Sequence, residues 1–145
     1  MEYYLAHPNK FYTKRNVEHK EYFLNRYVAN LGSVKIPEVV EYFPESRIMI
    51  SRRVEGSNIS DNHGEDVNHV PDEVFQKVAT IIRELVLNGV EYPDITGYNF
   101  IEESETHDVW IVDFGHANIK QQGKITDRHI KAVCNGEKKW NPDYR

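Results

Sequence analysis

The chain has 145 residues, 39% of them hydrophobic, with 18 Lys and Arg against 23 Asp and Glu for a net charge of −5, which supports one compact domain with a substantial core. That mildly acidic balance argues against nucleic acid as a partner, because Lys14-Arg15 and Arg52-Arg53 are basic pairs of the kind usually left solvated. No apolar run approaches the length of a membrane span, the N-terminus carries no secretory apolar region, and the single cysteine, Cys134, excludes an internal disulfide, so a soluble cytoplasmic protein is expected.

Residues 3–6 and 10–14 are β-prone runs separated by His7-Pro8-Asn9, which predicts strand, turn and strand, with Lys14 ending the second. Residues 17–31 place Val17, Leu24, Val28 and Leu31 on one face of a helix stopped by Gly32. Glu21 falls on that inward stripe, where an unpaired carboxylate is costly and needs a cation. Lys14 is one candidate, Lys10 and Lys20 are alternatives, and Glu18 is a second carboxylate nearby. Residues 34–43 and 47–56 flank a turn at 44–46 and predict a second hairpin. Residues 57–70 shift to Asn, Asp, Ser, Gly and His and read as a mobile polar connector. His63, His69, Asp61 and Asp66 lie within it, at a spacing that matches no zinc site.

From Pro71 onward, Val74, Val78, Ile81, Ile82 and Leu85 recur at threes and fours. Asp72 and Glu73 suit the positive end of this helix, and Gly89 suits the position just past its stop. The helix leads into Tyr92-Pro93-Asp94-Ile95-Thr96-Gly97-Tyr98-Asn99-Phe100-Ile101, and a second string, Trp110-Ile111-Val112-Asp113-Phe114-Gly115, follows a polar turn at 102–108. The apolar runs 100–101 and 109–112 predict a two-stranded hairpin, which brings the loop before its first strand beside the loop after its second. Asp94, Asn99 and Asp113 then converge at one end, and two carboxylates with one amide suit magnesium, which is held by one or two carboxylates together with substrate phosphates. A last helix is predicted over 127–135 with Thr126 as its cap and Gly136 after it, and Trp140 and Tyr144 close a tail expected to pack on the core.

Tyr92-Pro93-Asp94 to Asn99, followed by Asp113-Phe114-Gly115, resembles the catalytic loop H-R-D-x-x-x-x-N and the metal-binding D-F-G of the protein kinase superfamily. The order of helix, loop, hairpin and D-F-G is also the order found there. The resemblance implies an α+β, truncated protein kinase-like fold in a single domain. Residues 1–56 would form a small antiparallel-sheet N-lobe with one helix, 57–70 a connector, and 71–145 a reduced, mainly helical C-lobe carrying the catalytic-loop hairpin. It implies ATP and Mg2+ as cofactors, with Asp94 orienting or deprotonating the acceptor hydroxyl and Asn99 and Asp113 as magnesium ligands. Lys14 would grip the phosphates with Glu21 as its partner, and a hinge near 51–55, including Arg52 and Val54, would read adenine through backbone groups.

Departures shape the expectation further. Tyr92 and Pro93 replace the histidine and arginine before the catalytic aspartate, and Thr96 stands where serine/threonine kinases carry a lysine, a variant similar to atypical and small-molecule kinases. No glycine precedes Gly32, so the glycine-rich phosphate loop is expected to be missing, and the chain beyond Gly115 is too short for a peptide-binding half. Two classes of function follow: a minimal phosphotransferase, or a kinase-shaped module that docks on and regulates a protein partner, such as a true kinase or a second copy of the chain.

Overall fold

The computed structural model describes residues 1–121 and 124–144. In chain order its elements are α1 (Glu2–Leu5), β1 (Phe11–Lys14), α2 (His19–Leu31), β2 (Val39–Phe43), β3 (Ile48–Arg52), β4 (Gly56–Asn58), α3 (Ile59–His63), α4 (Asp72–Leu87), β5 (Val90–Glu91), β6 (Phe100–Glu103), β7 (Val109–Ile111), β8 (Asn118–Ile119) and α5 (Arg128–Cys134). The architecture is α+β, with small antiparallel sheets and few helices.

The first sheet has the order β1-β3-β2, so β3, buried from Ile48 through Ser51, is its central strand. Lys14 lies opposite Met49 and Tyr12 opposite Ser51, which puts these four side chains on one face. The other face gathers Phe11, Ile48 and Ile50 into a small cluster of its own. Residues 3–6 belong to α1 and its cap rather than to a strand, because the amides of Leu5 and Ala6 bond to the carbonyls of Met1 and Glu2. Tyr4 packs edge-on to Phe11, so the aromatic character that suggested a strand serves helix-to-sheet packing instead.

α2 buries Glu21, Leu24 and Val28, and Gly32, at φ 73°, closes it in the left-handed conformation that glycine adopts without strain. The predicted strand over 34–43 shortens to β2. Residues 34–38 cross instead to the lower half of the molecule, where Lys35 O accepts from Ile111 N at 3.0 Å and Val34 and Ile36 enter the main core.

Residues 57–70 contain regular structure where an irregular connector was expected. β4 pairs with β6, Asn58 caps α3 through Asp61 N, and Asp66 caps a single 3₁₀ turn at Val67–His69. α4 is the central helix, burying Val74, Phe75, Val78, Ala79, Ile81, Ile82 and Leu85, with Pro71 at its N-cap. The hairpin β6–β7 forms as the sequence predicts, with Phe100 opposite Ile111, and β4 adds a third strand to it. β5 and β8 pair over two positions, too short a span for any periodicity to announce. Asp127, not Thr126, caps α5, its Oδ1 accepting from Ile130 N at 2.9 Å. The tail folds back: the Trp140 ring sits 5.3 Å from that of Phe75, and Asn141 is buried. Among the described residues no helix is long and apolar enough to cross a membrane.

Candidate active site

A cleft of about 430 Å³ separates the cleft-facing side of the first sheet from the hairpin, lined among others by Tyr12, Lys14, Met49, Ser51, Asn99 and Asp113. Lys14 reaches it from the end of β1. Its ammonium donates to the carboxylate of Glu21 and to Asp113 Oδ1, the latter at 3.1 Å, which joins the first sheet, α2 and the segment after β7 at one point. Burial alone would depress the Lys14 pKa, but hydrogen bonding to Glu21 and the charges of Asp113 and Glu21 outweigh it and raise the value. Two of the alternatives are engaged elsewhere: Lys20 bonds to Asn118, and Glu18 takes Arg47 at 2.6 Å.

Asp113 adopts φ 67°, a left-handed conformation that aspartate tolerates better than most residues. Its Oδ1 also accepts from Gly115 N at 3.1 Å, which closes the turn and fixes the carboxylate toward Lys14. Asn99 ends a 3₁₀ turn at Gly97–Asn99. Its amide nitrogen donates to Asp94 O at 3.0 Å, leaving the amide oxygen as the donor atom for a ligand, and its backbone oxygen accepts from Val112 N at 3.0 Å. The catalytic-type loop is thereby stitched to the strand that delivers Asp113.

Tyr92 explains one departure from the kinase pattern. Its ring is buried between Phe100 and Phe114, and its hydroxyl donates to Val112 O at 2.6 Å. Burial pushes its pKa well above 10.0, so it remains a neutral donor. Asp94 lies two residues on, only 4% exposed. Its Oδ2 meets His116 Nδ1 at 2.7 Å, while Oδ1 is buried without a hydrogen-bond partner among the described residues. Burial raises the Asp94 pKa, and the hydrogen bond and charge of His116 act against it.

The structure brings Lys14, Glu21, Asn99 and Asp113 to the cleft, along with Arg52 and Val54 from the hinge-like stretch, whereas Asp94 is not among its lining residues. Arg52 Nε is engaged by Glu38 Oε2 at 3.1 Å. Sequence reasoning missed His116, whose one signal is a titratable ring directly after Gly115, and Ser60, which lies against Gly97. Among the described residues no three His, Cys, Asp or Glu side chains are grouped to hold a metal alone. The donor set of Asp113 and Asn99 fits a hard cation that takes few protein oxygens and completes its shell with phosphates and water, as magnesium does.

This cleft, with its lysine, glutamate, loop asparagine and the aspartate after β7, defines a protein kinase-like chain. Among solved structures it is similar to the Rad53 kinase domain, from a crystal structure that includes SCD2, at a TM-score of 0.59 and 20% identity over 75% of this chain and 43% of that one. It is likewise similar to PK-1, the Cydia pomonella granulovirus kinase, at a TM-score of 0.56 and 16% identity over 75% of this chain and 43% of that one. At these identities the likeness is one of fold, and this chain spans 43% of each kinase chain. No curated protein sequence matches. The ABC1 atypical kinase-like domain family matches residues 15–139, and the chain belongs to that family.

Proposed function

We propose that the chain is an ATP- and magnesium-dependent phosphotransferase that passes the γ-phosphoryl group to a hydroxyl acceptor. The observation that supports it most is the junction at Lys14, where one ammonium touches both Glu21 and Asp113 although Lys14 and Asp113 stand 99 positions apart. A buried glutamate orients the lysine, and the lysine holds the aspartate at the place where phosphates would enter.

Lys14 binds phosphate oxygens, and the 51–55 backbone, with Arg52 and Val54, takes the base. Asp113 and Asn99 hold magnesium, which when bound neutralises phosphate charge. Asp94 orients the acceptor and takes its proton as the acceptor oxygen bonds to the γ-phosphorus and the bond to the ADP oxygen breaks. Catalysis in such a site is chiefly positioning and electrostatics. Labelled ATP with magnesium tests the reading. The native chain transfers phosphate, and Asp94→Ala and Asp113→Ala each lose on the order of 100-fold or more. Equal signal from all three would refute it.

A second reading, a kinase-shaped module that binds and regulates a partner, draws support from exposed Tyr3, Leu5, Phe23 and Leu87. Altered activity of an added kinase, retained by Asp113→Ala, is the result that would favour it.

A further inference from the structure

Resting on the phosphotransferase reading, we propose that His116 is a positioning residue for Asp94: its ring holds Oδ2 and so sets the orientation in which the carboxylate meets the acceptor hydroxyl. Asp94 has two chemically equivalent oxygens, and a proton acceptor works only if one of them is held within hydrogen-bond reach of the hydroxyl. Every other freedom of this residue is already restricted. Its carbonyl accepts from Asn99 Nδ2 at 3.0 Å and from Thr96 N at 2.9 Å. Its neighbours are clasped from the tail, Asn141 Nδ2 donating to Pro93 O and Asn141 N donating to Ile95 O, both at 2.8 Å. The remaining torsion is that of the carboxylate, and His116 Nδ1 at 2.7 Å from Oδ2 arrests it.

His116 is itself braced. Its ring lies 5.3 Å from that of Tyr144, at 48°, so the same tail that clasps the loop also backs the imidazole. Among the described residues Oδ1 is left buried with no partner. An unpaired buried carboxylate oxygen is costly, and a contact evolved only for stability would satisfy both oxygens. The His116 side chain is 65% exposed but that of Asp94 only 6%, and removing the partner of a buried carboxylate destabilises the fold, so turnover has to be read well below the melting midpoint of each variant.

The experiment compares His116→Ala and His116→Asn with the native chain in the labelled-ATP assay, with Asp94→Ala as the reference loss. Asparagine can present an N–H near the place of Nδ1. Measured well below the melting midpoint, His116→Ala should lower kcat about 10- to 100-fold, the range expected for a misplaced reacting group, with KM for ATP nearly unchanged, and His116→Asn should recover most of the loss. Independently of turnover, ¹⁵N NMR of the neutral ring should show the Nδ1-protonated tautomer in the native chain and the Nε2-protonated form in Asp94→Ala. An unaltered or raised kcat in His116→Ala, no recovery in His116→Asn, or one tautomer in both samples overturns the role. A native chain that transfers nothing sinks the phosphotransferase reading and this role with it. An active native chain, a dead Asp94→Ala and an unaltered His116→Ala sink only the role of His116.

Discussion

Glu102 shows how single residues tie the connecting segment to the hairpin. Its Oε1 meets His63 Nε2 at 2.8 Å and Asn62 Nδ2 at 3.3 Å, and its Oε2 meets His107 Nδ1 at 3.2 Å. Burial would raise its pKa, but these bonds outweigh burial and carry it below 4.5. A depressed carboxylate contributes stability above its unfolded pKa and loses it as pH falls through the folded one. Glu102→Gln should therefore melt lower than the native chain near neutral pH, by about 1 kcal/mol of stability, with the gap closing as pH falls from 4.5 through the lower folded value, as followed by thermal denaturation across pH. Asp94 has the opposite sign, its pKa raised by burial, so its ionisation costs folding energy as pH rises past the ordinary range. Spacing marked Glu21, Asn99 and Asp113, because a helix stripe and the loops at a hairpin's end leave a pattern, while Lys14 stood beside Lys10 and Lys20 until the kinase resemblance singled it out. Glu102 left none and His116 only a titratable ring directly after Gly115, since each has partners contributed by distant parts of the chain.

At the level of elements, α3 and the 3₁₀ turn of the catalytic-type loop touch at one crowded point. A Cβ built on Gly97 would lie 2.2 Å from Ser60 Oγ and 3.0 Å from Ser60 N. Glycine is required there by close approach, not by backbone conformation. Gly97→Ala should cost about 1–3 kcal/mol and, by pushing the loop off α3, lower any phosphate transfer, while adding Ser60→Gly should restore part of both in melting and transfer assays. The long elements were legible: α4 and α2 repeat an apolar stripe over several turns, and the hairpin β6–β7 is bracketed by polar turns. The short ones were not. β4, β5, β8 and α3 span 2 to 5 residues each, less than the window in which a period can be counted, and α1 carries tyrosines whose strand preference is a statement about packing.

For the whole molecule, ligand binding offers the broadest test. A nucleotide that binds only the folded chain adds about 2.7 kcal/mol at 100 times its Kd, so ATP with magnesium should raise the melting midpoint, and Asp113→Ala should abolish the magnesium-dependent part of that rise. No shift in the native chain would remove the nucleotide site. The core that would transmit this stabilisation is one continuous body joining α2, α4, the hairpin and α5 through residues such as Leu24, Ile82, Ile111 and Ile130. The sequence by itself determined the order of helices and hairpin and the chemical types held at the strand ends, because local periodicity and turn residues act over a few positions. Only the tertiary structure decided that Lys14 meets Asp113, that His116 meets Asp94 and that the tail clasps the loop through Asn141, because contacts between distant segments depend on how the layers pack and carry no local period.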